Sequence, residues 1–152
     1  MTGLIVQATR GHAIAMAPSV RAAEVLEVSA SHGVGVEEAL LQELDRSVSA
    51  WTWLVDGRPA CMFGIVAPLA LSYTSAPWFL STELVDQHAY AFARACRRLL
   101  PELLEHHPRL VGMVDARYAL SVRWLSWLGA RLGEPEPWGV AGALFQRFEI
   151  GG

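Results

Sequence analysis

The sequence contains no lysine: all twelve of its basic residues are arginines, against fifteen acidic ones, for a formal net charge of −3. That balance lacks the basic excess that draws proteins to a phosphate backbone, so nucleic acid is not an expected partner. Cysteine is nearly absent as well. Cys61 and Cys96 lie far apart with no CxxC spacing, which leaves no redox motif and no metal-ligand set, and reads as two buried free thiols. No apolar run approaches the ~20 residues that a membrane span requires, and no basic segment followed by a continuous apolar one opens the chain. These absences predict a cytoplasmic protein without membrane attachment.

Apolar residues, by contrast, are plentiful. They make up 53% of 152 positions, with 18% charged, so a single domain over residues 1–152 has enough material for a core without disulfides or metal. The surplus also leaves room for self-association or a protein partner.

Patterning along the chain divides into strand-like and helix-like stretches. "GLIVQAT" suits a first strand, "PSVRAAEVLEVSASHG" a helix ending at Gly33, and "VGVEEALLQELDRS" a second helix with Glu37 and Glu38 against its positive end. In "SAWTWLVDGRPACMFGIVAP" two β-rich runs flank Asp56-Gly57, a dipeptide suited to a tight hairpin turn. Trp51, Trp53 and Val55 share one face, and so do Cys61, Phe63 and Ile65. Gly64 marks a bulge or a close backbone approach.

After a loop containing Pro68, a short strand from Trp78 to Leu80 runs into a helix capped by Ser81 or Thr82. Val85, His88, Phe92, Cys96, Leu99 and Leu103 form its apolar stripe, and Pro101 is expected to kink or restart it. "RLVGMVDA" reads as a buried strand. "LSVRWLSWLGA" reads as an amphipathic helix with Trp124 and Trp127 as core or cleft-lining anchors and Gly129 at its C-cap. A short strand, a Pro- and Gly-rich loop and a closing strand with Leu144, Gln146 and Phe148 on one face complete the chain. The order β-α-α-β-β-β-α-β-α-β-β describes an α/β (α+β) domain with a mixed sheet covered by helices.

That order resembles the GCN5-related N-acetyltransferase (GNAT) fold over nearly the whole chain. More narrowly, "AWTWLVDGRPACMFGIV", "PWFLST", "VDARYALSVRWLSWLGA" and "GALFQRFEI" resemble a family of small GNAT-like proteins of tailed phages, including those of T7-like podophages. The resemblance implies an acetyl-CoA site where the fourth strand hands over to its helix, through an R/Q-x-x-G-x-G/A loop whose amides close on the pyrophosphate. Here that segment is Ser81-Thr82-Glu83-Leu84-Val85-Asp86. It has no glycine, and Glu83 and Asp86 would repel a pyrophosphate.

The resemblance also implies a tyrosine acid in the pattern N-x-x-A-x-x-L-Y-x-x-x-G-F. With Gly129 on the pattern's glycine, Tyr118 falls on the asparagine and Leu125 on the tyrosine. Leucine has no proton to give. Two functional expectations follow. The first is a catalytically degenerate phage protein without a resident cofactor, acting in the host cytoplasm or the virion through contacts with a phage structural protein. The second is an acetyl-CoA-dependent N-acetyltransferase with an atypical loop, in which Leu80, Ser81 and Thr82 face the cofactor and Asp115 or Tyr118 assists the amine.

Each candidate also has a plainer role. Asp115, with Arg117 nearby, suits a helix cap. The pair His106-His107 points in divergent directions and suits a solvated helix end. His88 suits a satisfied histidine on an apolar stripe. Arg94, Arg97 and Arg98 suit either an acidic partner or solvated arginines over apolar neighbours. The loop "GEPEPWGVAG", with Trp138 at its centre, is the expected partner-contacting segment.

Overall fold

In the computed structural model, residues 3–66 and 74–152 are described, and the expected Pro68 loop lies outside them. After β1 (Leu4–Gln7), the Thr9 hydroxyl accepts from the His12 N–H at 3.1 Å while the Thr9 N–H donates to the His12 ring at 3.2 Å. This reciprocal cap starts α1 (Arg10–Met16), a helix that the sequence order above lacks. A 3₁₀ turn (Ala17–Ser19) carries the chain into α2 (Ala22–His32), which ends at left-handed Gly33 as expected, and then into α3 (Val36–Arg46).

β2 (Ser47–Val55) and β3 (Arg58–Val66) form the predicted hairpin. Positive φ at both Asp56 and Gly57 gives the primed turn that matches strand twist. Gly64 is a close approach: a Cβ there would meet the Trp78 indole at 2.6 Å and the Ser49 carbonyl at 2.8 Å. β4 (Thr74–Ser81) is longer than the predicted strand.

The helix after β4 breaks at His88, into α4 (Leu84–Gln87) and α5 (Ala89–His106). Pro101 does not restart it: α5 runs through that residue, its last turns held by Leu100, Leu103 and Leu104 in the core. Nor are Ser81 and Thr82 simple caps. Ser81 is still strand and turns its hydroxyl elsewhere, while Thr82 accepts one bond from the Leu84 N–H at 3.3 Å. After β5 (Arg109–Asp115) comes α6 (Ala119–Trp127). Paired bonds close α6, from the Ala130 N–H to Leu125 O and the Gly129 N–H to Ser126 O. β6 (Arg131–Leu132), β7 (Glu136–Trp138) and β8 (Ala143–Gly151) finish the chain. β7 corrects the expectation of a plain loop.

The sheet runs β1-β2-β3-β4-β5-β8-β6, with β7 also paired to β8. Every pairing is antiparallel except β4 with β5. Helices α1, α2 and α3 pack on one face around Met16, Leu40, Met62 and Leu80. Helices α5 and α6 pack on the other, around Trp53, Phe92, Leu110, Val114 and Phe148. On β8 the expected alternation holds for Phe148, but Leu144 is exposed, and Phe145, on the opposite face, is the fully buried aromatic. Among the described residues, no helix is long and apolar enough to cross a membrane.

Candidate functional site

The two parallel strands part almost as soon as they meet. β4 and β5 pair only at Thr74–Arg109 and Ser75–Leu110, yet β4 continues to Ser81 and β5 to Asp115. Beyond the pairing, the facing edges of residues 76–81 and 111–115 have no strand partner among the described residues. A cavity of about 620 Å³ fills the wedge, lined from both faces of the sheet. That volume is in the range of small-molecule sites.

On the α2 side, the wedge holds a polar group that sequence reasoning missed. An isolated bridge between Val20 and Thr82, and an N–H of Arg21 donating to Ser81 O at 3.1 Å, tie the start of α2 to the end of β4. This places Glu24, only 3% exposed, on the strand's last residue. The Ser81 N–H and hydroxyl donate to its two oxygens at 2.7 and 2.5 Å, the Tyr118 hydroxyl donates at 3.3 Å, and Arg21 Nε lies 3.4 Å away. Burial nevertheless pushes its carboxyl above the ordinary range, against the hydrogen bonds from Ser81. Burial beside Glu24 also raises the Tyr118 phenol.

Glu27 sits one turn further on and is treated differently. It accepts one bond, from the Asp115 N–H at 3.0 Å, and forms no ion pair among the described residues. Burial, with Glu24 and Asp115 adding like charge, raises its carboxyl to about 7. A carboxylate that close to neutrality can take or give a proton near physiological pH.

The predicted residues largely converge here. Ser81 and Tyr118 meet on Glu24, and the Asp115 backbone meets Glu27. The Asp115 side chain is occupied: Arg117 donates to it from its backbone N–H, Nε and Nη2 at 2.6 to 2.9 Å and holds it below the usual carboxylate range. It makes a turn before α6 rather than capping it; Tyr118 stands at the N-cap. Thr82 donates its hydroxyl to Ala60 O, and Leu80 is buried with α1–α3 while also bordering the cavity. Asp86, expected to repel an anion, is instead held by both Nη atoms of Arg21 at 2.9 Å. Glu83 remains exposed at the N-cap of α4.

Trp138 lies over Phe145 with ring centroids 5.0 Å apart and borders the cavity. The turn after it docks on α2, Val140 and Ala141 donating to Ser31 O and Ala30 O. His88 meets the Trp53 ring edge-on, His107 shares a bond with Ser75, and His106 is exposed. No group of three metal-ligand side chains exists among the described residues.

On the other side, the wedge is aromatic and aliphatic. Phe92 stacks with Trp124 and Trp124 with Trp127, each at 5.2 Å, and Phe92 also touches Trp53 and Phe79. Trp124 and Leu125 line the cavity, so the position where the resemblance implies a tyrosine does face the wedge. Cys96 borders it as well, its thiol pushed up by burial to about 12 and so held protonated.

The signal for Glu24 and Glu27 was present in "RAAEVLEVSASH". Arg21, Glu24, Glu27, Val28 and Ser31 recur at i+3 and i+4 and form the inward stripe, leaving Val25 and Leu26 outside. A reading by hydrophobicity assigns such a helix the wrong way round.

No protein-family model matches the sequence, and no curated protein matches it either. Solved structures do share its shape. An acetyltransferase of the GNAT family from Bacillus anthracis aligns with a TM-score of 0.70 at 10% identity, covering 99% of this chain and 95% of that one. The ribosomal-protein-S18-alanine N-acetyltransferase of Escherichia coli aligns at 0.68 and 13%, covering 98% and 93%. A Salmonella typhimurium protein assigned as an acetyltransferase, solved with its cofactor acetyl-CoA, aligns at 0.64 and 15%, covering 99% and 94%. None of the three is described as a phage protein. At such identities the likeness establishes the fold: this chain is built as a GNAT acetyltransferase is built.

Proposed function

We propose that the protein is an acyl-CoA-dependent N-acetyltransferase, in preference to a degenerate virion component. The observation that carries this reading is the wedge between β4 and β5, an apolar cavity flanked by two unpaired strand edges inside the GNAT fold. The residues present fit acetyl-CoA. Its amide-bearing arm is a peptide-like strip, and the facing edges of residues 76–80 and 111–114, which no strand covers among the described residues, offer backbone donors and acceptors for it. Arg21 cancels the charge of Asp86 near the helical start, removing one of the two carboxylates that argued against a pyrophosphate. No side chain caps α5, which leaves its first-turn amides for an anion. When bound, the group supplies an activated acyl thioester. The protein's own residues would position it and manage protons from the carboxylate side. The virion role rests on motif resemblance and has no feature of the wedge in its favour.

Isothermal titration with acetyl-CoA tests the reading. Micromolar binding is expected, and Ser121→Trp, which puts bulk into the cavity from α6, should abolish it while leaving the fold's circular dichroism unchanged. No binding at millimolar cofactor overturns the proposal, and co-purification of a phage structural protein would then favour the virion role.

A further inference from the structure

α2 is built inside out. Its carboxylates face the sheet while Leu26 and Val25 face solvent at 66% and 40% exposure. Turning charge inward is costly unless something meets it. Glu24 is met, by Ser81, Tyr118 and Arg21. Glu27 is not: it borders the cavity with one backbone hydrogen bond and no ion pair among the described residues. The cavity lining around it includes Val28, Ala39, Trp78, Trp138 and Phe145 as apolar and aromatic walls, and Ser31, His32, Glu43 and Arg46 also border it from α2 and α3, with Glu43 lying against both His32 and Arg46.

We infer that the acceptor substrate is a small primary amine on an apolar, aromatic-sized body, which enters by the α2–α3 mouth and is held by its ammonium group at Glu27. This rests on the acetyltransferase reading for the purpose of binding, while the ammonium site itself is a property of the protein without cofactor. An ammonium supplies the missing counter-charge, and the walls accept the body. Glu27 then takes one proton from the ammonium, an O–H bond forming as an N–H bond breaks, and leaves a neutral amine with its lone pair free. The groups that set this transfer are Glu24 one turn earlier on α2, Asp115 at the end of β5 and Tyr118 at the start of α6. Glu24 and Asp115 add to burial in disfavouring a charge on Glu27, while the neutral Tyr118 phenol donates to Glu24, so Glu27 is protonated in part until the cation arrives.

The test is calorimetric titration of the protein with phenethylamine and with phenethyl alcohol, its neutral counterpart, alongside Glu27→Gln. The amine should bind roughly tenfold more tightly than the alcohol, and Glu27→Gln should remove that preference while leaving alcohol binding unchanged. At pH 6.5, titrations in two buffers of different ionisation enthalpy should show a proton released as the amine binds, and none with Glu27→Gln. Equal binding of amine and alcohol, or an amine preference that survives Glu27→Gln, overturns the inference. Acetyl-CoA titrated into both proteins separates the two readings. Cofactor binding without amine preference sinks only this inference. Amine preference without cofactor binding sinks only the acetyltransferase reading.

Discussion

The two sides of the wedge use opposite materials to hold the same strands. On the α5–α6 side, Phe92 and its ring neighbours form a chain of contacts running from Trp53 on β2 to Trp127 at the end of α6. On the α2 side, a single carboxylate, Glu24, gathers donors from β4 and α6 and an arginine of its own helix start. The aromatic side loses little if one contact slackens, because dispersion is spread over many atoms. The carboxylate side is directional, and its geometry places Glu27 beside Glu24 with one backbone hydrogen bond and no ion pair among the described residues. A fold that needed stability alone would have used the first construction on both sides. The second holds a group near its titration point, which is useful for chemistry and costly for stability.

Phe92→Ala should have the largest effect of any change that breaks this contrast. Its ring is buried against three others, so removal combines lost transfer energy with a cavity and is expected to cost about 3–5 kcal/mol. Urea denaturation measures it. A loss under about 1 kcal/mol would mean that α5 is not anchored by these rings.

Glu27→Gln should act in the opposite direction, and only at some pH values. Because the folded carboxyl is raised to about 7 from an ordinary 4.5, the folded state holds its proton more tightly than the unfolded chain does. Stability is therefore complete below about pH 4.5 and falls as pH rises to 7, where the charge must be buried. Glutamine carries no such charge. The variant should match the parent near pH 4.5 and exceed it by about 2–3 kcal/mol at pH 8. Melting curves from pH 4.5 to 8 check this; parallel curves for the two proteins would remove Glu27 from the set of perturbed groups.

The difference between the two sides also explains what could be read in advance. Hydrophobic periodicity reports apolar burial, so the Trp51–Trp53 hairpin, the stripe from Val85 to Leu103 and the Trp124 face of α6 were legible, whereas Trp127, expected as a core or cleft-lining anchor, is 45% exposed and stacks on Trp124 from outside the cavity. Asp56-Gly57 and Gly129 added correct turn and cap positions because those backbones need positive φ. On α2 the helix and its end at Gly33 were legible but its inward face was not, since Glu24 and Glu27 stand there beside Val28 while Val25 and Leu26 are exposed; α1 was missed, its start signal being Thr9 with His12. Pro101 misled because packing of Leu100, Leu103 and Leu104 outweighs one missing helical bond. Within the site, where Ser81 and Tyr118 meet on Glu24, those two residues were singled out by the resemblance and Asp115 by its place at a strand end. Their shared partners, Glu24 and Glu27, were not, since only the tertiary bridge from Val20 to Thr82 brings α2 to that point.

The smallest effect should come from the outer end of the aromatic chain. Arg97 lies over the Trp127 ring at 4.1 Å from its centroid, and Trp127 is 45% exposed. A cation over an exposed indole contributes about 0.5–1 kcal/mol, and Trp127 keeps its stacking on Trp124 when the guanidinium is removed. Arg97→Ala should therefore lower stability by less than about 1 kcal/mol, leave phenethylamine binding on the far side of the sheet unchanged, and alter only the fluorescence of the exposed indole. If it weakened amine binding severalfold, the two sides of the wedge would be coupled through α6, whose first residues lie against Tyr118 and whose last residues carry Trp127. The division of labour between an aromatic scaffold and a titrating carboxylate face would then have to be replaced by a single unit that responds as one.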